Sequence, residues 1–497
     1  MNLLIPKFIK YQLYLLQLEN YELLRYWKLL IKKGLFPNKR QPLRKELVWS
    51  AKAKALMLMA VALHFLAVIL AGLIAISTYK GTDGLFGFLI IVALAGLLFY
   101  FLWFSLALIL IWPLDSFAKQ VIIARAKSRI KNLKDLKIIG IAGSYGKTTM
   151  KQVLFEVLGA KFNVTATPES VNTPIGIARW ILNKFDENLQ VAIVEMGEHY
   201  SGDIEYLCKI TPPDIAVVKG INEAHLERMK TLENITNTIF EVAGNAKPGA
   251  TMILNGDDKN VMDNYKKYVW PDHKLLFYGT KNKSNFQFSI FPPKADLYDN
   301  FQFSAEKLGW EVEIEGLGNI FINLLGEYAL NDVQAAIIIA KQLGMSDTEI
   351  KIGISKISPV EHRLQPITSA NSVLIIDDSY NGNPDGAMEA IKVLSRFANR
   401  RKIYITPGLV ETGKAAKKIH LEIGKQLAGV ADVVILIKNS VTGFIEEGMK
   451  DEGLRIKDKI SQVIWFNTAQ EAHVGLKNIL KPSDVILFQN DWGDQYL

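Results

Sequence analysis

Residues Lys137 to Thr149 read K-I-I-G-I-A-G-S-Y-G-K-T-T. An apolar strand, Ile138 to Ala142, runs into a glycine turn, Gly143-Ser-Tyr-Gly146. Lys147, Thr148 and Thr149 then lead into a helix-like run, Met150 to Leu158. This order is what a phosphate-binding loop requires. Glycines let backbone N–H groups turn inward around phosphate oxygens, and the helix N-terminus adds partial positive charge. Lys147 is placed to reach the β- and γ-phosphates, and the Thr148 hydroxyl to hold Mg²⁺. The spacing departs from G-x-x-x-x-G-K-[ST], because Ile141 stands where the first glycine belongs; G-x-x-G-K-T-T remains. The plainer alternative is an ordinary glycine turn before a helix.

Ahead of this loop the chain is of another kind. Ala55 to Ile76 and Leu85 to Trp112 are nearly uncharged apolar runs, each longer than the roughly 20 residues that cross a bilayer. The second, about 28 residues or ~42 Å as a helix, exceeds a ~30 Å hydrocarbon core and must tilt or end along the interface. The short link between them, Ser77 to Gly84, is turn-rich and carries only Lys80 as a cation. Lysines and arginines crowd the outer flanks, from Lys7 to Lys54 and from Lys119 to Lys131. This asymmetry predicts a transmembrane helical hairpin with both flanks in the cytoplasm. More than fifty residues precede the first run, which argues against a signal peptide. The alternative is a buried soluble hairpin. His64, inside the first run, reads either as a functional intramembrane group or as an imidazole packed on the partner helix.

The 497 residues predict two or three domains. Lys plus Arg exceed Asp plus Glu, 58 to 50, and the flanks supply most of that excess, so anionic membrane lipid is the expected partner. No basic patch interleaved with aromatics points to nucleic acid. A single cysteine, Cys208, excludes a disulfide framework and a thiolate zinc site within one chain.

From Lys137 onward short apolar runs alternate with helical patterns, which implies α/β layers with largely parallel sheets. Lys281 to Glu315 is less regular and reads as paired strands. A break near Ile357-Ser-Pro-Val360 precedes a second α/β unit. The expected domains are a basic cytoplasmic segment (1–54), two transmembrane helices (55–112), a central ATP-binding domain (113–358) and a C-terminal Rossmann-like α/β domain (359–497).

Four strand ends carry chemistry. Val191 to Gly197 ends in Glu195, where open α/β sheets bind ligands and where Mg²⁺ would sit beside phosphates. Read alone, a strand-end glutamate is more often a solvated acid. Ala216 onward runs into His225, which alone reads as structural. His362-Arg363-Leu364 precedes V-L-I-I-D-D-S-Y-N-G-N, Val373 to Asn383, a site for ribose or substrate or simply a capped helix start. Thr406-Pro-Gly-Leu-Val-Glu-Thr-Gly413 ends another strand.

Taken in order, these segments resemble the Mur ligase superfamily, and most of all its members that add D-alanyl-D-alanine to UDP-N-acetylmuramoyl-tripeptide. The resemblance rests on Gly143-Ser-Tyr-Gly-Lys-Thr-Thr149, Ser170-Val-Asn-Thr-Pro-Ile-Gly176, Glu195-Met-Gly197, Ala224-His-Leu-Glu227, Asn255-Gly-Asp-Asp258, Arg363-Leu364, Asp377-Asp-Ser-Tyr-Asn-Gly-Asn-Pro384 and Glu411-Thr-Gly413. It implies ATP and Mg²⁺ as cofactors, phosphorylation of a substrate carboxylate, and attack of an amine on the acyl phosphate. It implies that Gly143, Ser144, Tyr145, Gly146, Lys147, Thr148 and Thr149 bind ATP, with Asn331, Arg363 and Asp378. Thr148, Glu195 and His225 would hold metal, and Lys147, Glu195 and His225 would be catalytic. Ser170, Asn172, Tyr380, Asn381, Asn383 and Glu411 would face substrate.

The chain departs from the family's pattern in several places. Where members carry a carbamylated lysine two residues before a glutamate, here Glu241, this chain has Ile239, which puts a second Mg²⁺ in doubt. The family's G-x-H-N-x-x-N stretch reads Gly326-Glu-Tyr-Ala-Leu-Asn-Asp332, with Asn331 as the substitute. Phe488 to Asp494 replaces a lysine-glycine-serine stretch. The hairpin stands in place of the soluble domain that grips the UDP-sugar. The expectation is a membrane-anchored, ATP-dependent amide ligase facing the cytoplasm. Its acceptor would be an envelope precursor, lipid-linked or polymeric, and its donor an amino acid or dipeptide. The rivals are a poly-γ-glutamate synthetase and a non-catalytic membrane scaffold that keeps the fold. Intact Lys147, Thr148, Glu195 and His225 oppose the scaffold, and Ile239 favours it.

Overall fold

Leu, Ile and Ala fill the first apolar run with no proline, and it forms α3 (Ala51–Thr78). The structure is a computed structural model. It describes residues 5–19, 21–36, 47–78, 83–169, 171–198, 200–223, 226–281, 284, 288–291, 308–368, 373–380, 382–409, 412–450 and 462–489. Contacts divide the chain into two units, 1–122 and 123–497.

In the first unit α1 (Lys7–Leu18) and α2 (Leu23–Lys33) share one apolar core with α3 and α5 (Tyr100–Asn132). The basic N-terminal segment is thus partly helical and packed. The second apolar run differs from the single helix expected. It forms α4 (Asp83–Leu98) and the first part of α5, broken at Phe99. The Trp103 indole N–H donates to the Gly96 carbonyl at 3.0 Å, giving that oxygen a partner beside the break. Gly96 also faces His64; a Cβ there would lie 2.6 Å from the imidazole. His64 is 8% exposed, with its ring near those of Tyr100 and Trp103. It therefore takes the packed alternative. Below the break, Lys52 of α3 and Asp115 of α5 pair at 2.8 Å, which brings the two ends of the apolar segment level.

The second unit begins with a six-stranded sheet: β1 (Lys137–Ala142), β2 (Val164–Ala166), β3 (Val191–Glu195), β4 (Ile215–Val218), β5 (Thr251–Asn255) and β6 (Lys274–Tyr278). All neighbours are parallel, in the order β2-β3-β1-β4-β5-β6. β-Branched runs such as I-I-G-I and V-A-I-V suit strands buried on both faces. Around this sheet lie α6 (Lys147–Leu158), α7 (Pro174–Lys184), α8 (Asp203–Cys208) and α9 (Leu232–Gly244). The irregular stretch contains an antiparallel sheet of β7 (Phe288–Phe291), β8 (Trp310–Ile314) and β9 (Gly318–Ile322). Next come α10 (Tyr328–Gln342) and α11 (Asp347–Ser355), which share a core with α6.

A second sheet follows, built from β10 (Gln365–Thr368), β11 (Leu374–Asp378), β12 (Lys402–Thr406), β13 (Val433–Ile437), β14 (Gln462–Phe466) and β15 (Val485–Gln489). Its order is β10-β11-β15-β12-β13-β14. The edge strand β10 runs antiparallel to β11, so the sheet is mixed. It has cores of its own, one of them walled by α12 (Pro384–Ser395) and α13 (Ala416–Ala428). Tyr328 packs on both this core and that of the first sheet.

A candidate nucleotide site between the two sheets

β1 lies between β3 and β4, at the point where the strand order reverses, and the cleft opens beyond the strands' C-terminal ends. The β1–β3 register pairs Ile141 with Glu195, which sets that carboxylate level with the start of the glycine turn.

The turn is shaped by what lies behind it. Gly143 has φ +152° and Gly146 φ +71°, backbone that glycine adopts freely. Space enforces the choice as well. A Cβ on Gly143 would stand 2.7 Å from the Lys219 Cβ, and one on Gly146 2.5 Å from the Lys219 Cε. Lys219 is fully buried beneath the loop and ion-paired to the equally buried Asp332 of α10. The Ser144 N–H donates to the Gly220 carbonyl at 2.8 Å, and the Tyr145 hydroxyl to Asp258 at 3.1 Å. Burial, with Asp258 adding to it, pushes the Tyr145 phenol far above its ordinary range, so it stays a donor.

On the cleft side the charges interlock. The Lys147 ammonium donates to the Gly143 carbonyl and to Glu198 Oε1, the latter at 2.7 Å. The Thr148 hydroxyl lies 3.3 Å from each oxygen of Glu195, whose Oε2 is 2.8 Å from the Lys151 ammonium. Opposite, the left-handed residues His362 (φ +57°) and Leu364 (φ +45°) bracket Arg363. Its guanidinium donates to the Tyr380 carbonyl at 2.6 Å and lies 4.9 Å from that ring's centre. The His362 Nδ1–H donates to the Asp377 carboxylate at 2.7 Å, which raises the imidazole above its ordinary value.

One pocket thus gathers Ser144, Tyr145, Gly146, Lys147, Thr148, Asn172, Glu195, Arg363, Tyr380 and Asn383 from the expected set. Asn383 does two things: it lines the pocket, and its side chain caps α12 by accepting from Gly386 N–H at 3.1 Å. Four expected residues do not line it: Gly143 opens the turn and accepts from Lys147 through its carbonyl, and three more are placed elsewhere. Thr149 is buried behind the loop. Asn331 donates to Asp257 at 3.1 Å. Asp378 is buried and accepts from the Leu364 N–H at 3.2 Å, with burial pushing its carboxyl up to about 7 against the pull of Arg363. Ser170, His225, Asn381 and Glu411 lie outside the described residues. The sequence reading missed Glu169 and Glu198 in the pocket wall, and Lys151 beside Glu195. Glu198 stands in the same strand-end segment as Glu195, a position that by itself does not separate a pocket wall from solvent. Ile239 is fully buried in α9. Glu241 accepts from the N–H groups of Gly202 and Glu205 at 2.7 and 3.0 Å, and so caps the start of α8.

Residues 141–340 match the Mur ligase middle domain, and residues 362–489 the Mur ligase glutamate ligase domain. The chain belongs to the Mur ligase family. It is an ATP-dependent carbon–nitrogen ligase. Among its relatives is the UDP-N-acetylmuramoyl-tripeptide–D-alanyl-D-alanine ligase of Bacillus subtilis, 26% identical over 370 residues, 74% of this chain and 76% of that protein. The enzyme of the same name from Buchnera aphidicola is 30% identical over 294 residues, 58% of this chain and 61% of its own. The MurF ligase of Thermotoga maritima in complex with ADP superposes with a TM-score of 0.62 at 25% identity, over 75% of this chain and 80% of that one. These likenesses bear out the α/β fold and the ligase activity expected from the sequence. The second sheet's antiparallel edge refines the Rossmann-like expectation.

Proposed function

We propose that this Mur ligase joins an amino acid or dipeptide to the carboxylate of a cell-envelope precursor from an anchored position on the cytoplasmic membrane. The observation that carries the reading is the meeting of Lys147, Thr148 and Glu195 with Arg363 and Tyr380 in one cleft. Lys147 and the N-terminus of α6 receive the phosphates, and Arg363 meets the nucleotide from the opposite wall. The substrate carboxylate attacks the γ-phosphorus and ADP leaves. The amine then attacks the acyl carbon, inorganic phosphate departs with one carboxylate oxygen, and the ammonium proton is lost. Carboxylate and triphosphate repel each other, so cations must neutralise them. The oxygens of Thr148 and Glu195 converge within 3.3 Å, a hard donor pair that fits Mg²⁺. Bound there, Mg²⁺ would supply charge neutralisation and in-line alignment.

The membrane reading rests on α3 and α5, long and apolar enough to span. Their large side chains face outward: Phe65 is 62% exposed, Ile74 63% and Trp112 67%. A soluble protein's core helix would bury them. Level ends at Lys52 and Asp115 fit flanks on one side.

The test is ATP turnover by detergent-solubilised protein, with UDP-N-acetylmuramoyl-tripeptide and a lipid-linked precursor as acceptors and D-alanyl-D-alanine or single amino acids as donors. ADP release that requires both an acceptor and an amine supports the reading. No amine-dependent turnover with any pair contradicts it.

A further inference from the structure

α2 is apolar over more of its circumference than the protein covers. Its inner face, Tyr26, Leu29 and Leu30, is buried in the first unit's core. At 3.6 residues per turn, Leu24 and Ile31 share the outer face, and both are open, 81% and 80% exposed. Lys28 and Lys32 keep to one flank beside them. A helix whose apolar arc outruns its packing and is edged by cations has the pattern of one lying in a membrane interface. Its contacts place it at a matching depth. The Trp27 indole N–H donates to the Ser105 hydroxyl at 3.2 Å, and its ring meets that of Phe101 edge-on, 5.1 Å between centres. Ser105 precedes Trp112, the apolar end of that run, by about two turns of α5, roughly 10 Å. On α3 the same core takes in Leu56, Met57 and Ala60, just inside the start of the first apolar run. At the polar end, Gln17 donates to the Val48 carbonyl at 2.9 Å, and the Lys52 ammonium stands 4.7 Å from the centre of the Tyr21 ring. The pair of α1 and α2 thus covers the hairpin from its charged end into the apolar run. At that depth Ile109 and Leu110 of α5 are also more than half exposed, 54% and 52%.

We infer that α1 and α2 lie within the cytoplasmic leaflet, with Leu24 and Ile31 against lipid acyl chains and Lys28 reaching toward anionic headgroups. The inference rests on the membrane reading of α3 and α5. It replaces the expected water-borne basic segment with a half-depth helical pair, and it commits the open face of α2 to the lipid that already surrounds Ile109 and Leu110 in that reading.

Cys208 is the chain's single cysteine and is buried, so single labels can be placed in a Cys208→Ala background. The full chain carries a nitroxide at Leu24→Cys, Ile31→Cys, Ile69→Cys of α3 or Ile352→Cys of α11, in nanodiscs of phosphatidylcholine and phosphatidylglycerol. Electron paramagnetic resonance reads collision with oxygen, which concentrates among acyl chains, and with a water-soluble nickel chelate. Ile69 and Ile352, 58% and 47% exposed, are the lipid and water references. All four side chains are exposed, so the labels leave the cores intact. The oxygen-to-nickel ratio at positions 24 and 31 should stand at least fivefold above that at 352, as it should at 69. A smaller excess at 24 and 31, with 69 high, would overturn the inference and leave the membrane reading standing. Weak collision with both reagents would overturn it too, by showing protein over that face, a second copy included. If 69 matches 352, the membrane reading falls and this one with it.

Discussion

Lys147 is the proposed phosphate-binding cation, and its replacement has a clear expected size. Removing one charge-stabilising contact of this kind costs roughly 10²- to 10³-fold in rate. Lys147→Ala should lose acceptor-dependent ATP hydrolysis by at least that much, and wild-type-like hydrolysis would sink the phosphate-loop assignment. Asp378 makes a different prediction. Its carboxyl, raised by burial to about 7, binds its proton more tightly folded than unfolded. The stability tied to it is full below about pH 4 and is lost as pH rises through about 7. Asp378→Asn, which keeps an acceptor for the Leu364 N–H, should therefore gain in melting temperature over wild type as pH goes from 5 to 8. A constant difference would show that the group titrates normally. At position 239 the residue is a buried isoleucine, and Glu198, paired to Lys147, already lines the pocket. Ile239→Lys with bicarbonate should then gain nothing. A tenfold rise, ~1.4 kcal/mol in the barrier, would show a site short of an anion. The loop residues were legible because their spacing is itself the chemistry. Glu198 was not, because a polar residue after a glycine reads as solvated until the walls of the cleft are known.

At the scale of elements, the loop between β1 and α6 rests on a pair drawn from two other elements. Lys219 follows β4 and Asp332 belongs to α10, and the side chains are 2% and 0% exposed. Removing one partner strands a buried charge, at a cost of about 3–5 kcal/mol. Asp332→Ala should therefore lower stability by that amount in chemical denaturation. The double variant Lys219→Met with Asp332→Leu should recover most of it, because similar-volume apolar replacement of buried pairs is often near neutral. Equal losses in single and double variants would mean that the lysine matters for its shape rather than its charge. The sequence could not announce this pair. Its members lie 113 positions apart, and a strand-end lysine ordinarily points to water. The strands themselves were legible from short β-branched runs. The break at Phe99 was not, since α4 and α5 are equally apolar on both sides of it.

At the scale of the whole molecule, two kinds of surface share one chain. The catalytic unit has sheets whose cores are internal. The first unit leaves Phe65, Ile69 and Leu73 of α3 more than half exposed, at 62, 58 and 59%. Residues 123–497 alone should be soluble and bind ATP, whereas the full chain should stay with membranes through an alkaline carbonate wash. Release of the full chain by that wash would contradict the membrane reading. The apolar runs gave this contrast away in the sequence. The packing of α1 and α2 onto α3 and α5 did not show, because their lysines and arginines read as a membrane flank while Tyr26, Leu29 and Leu30 turn inward.

Carboxylate activation by phosphoryl transfer in the cleft between the sheets is tested most directly with an acceptor labelled with ¹⁸O in its carboxylate, supplied with amine and ATP to the purified full-length ligase. ADP should be the nucleotide product, with one ¹⁸O in the inorganic phosphate for each amide formed. Unlabelled phosphate, or AMP with pyrophosphate, would contradict it.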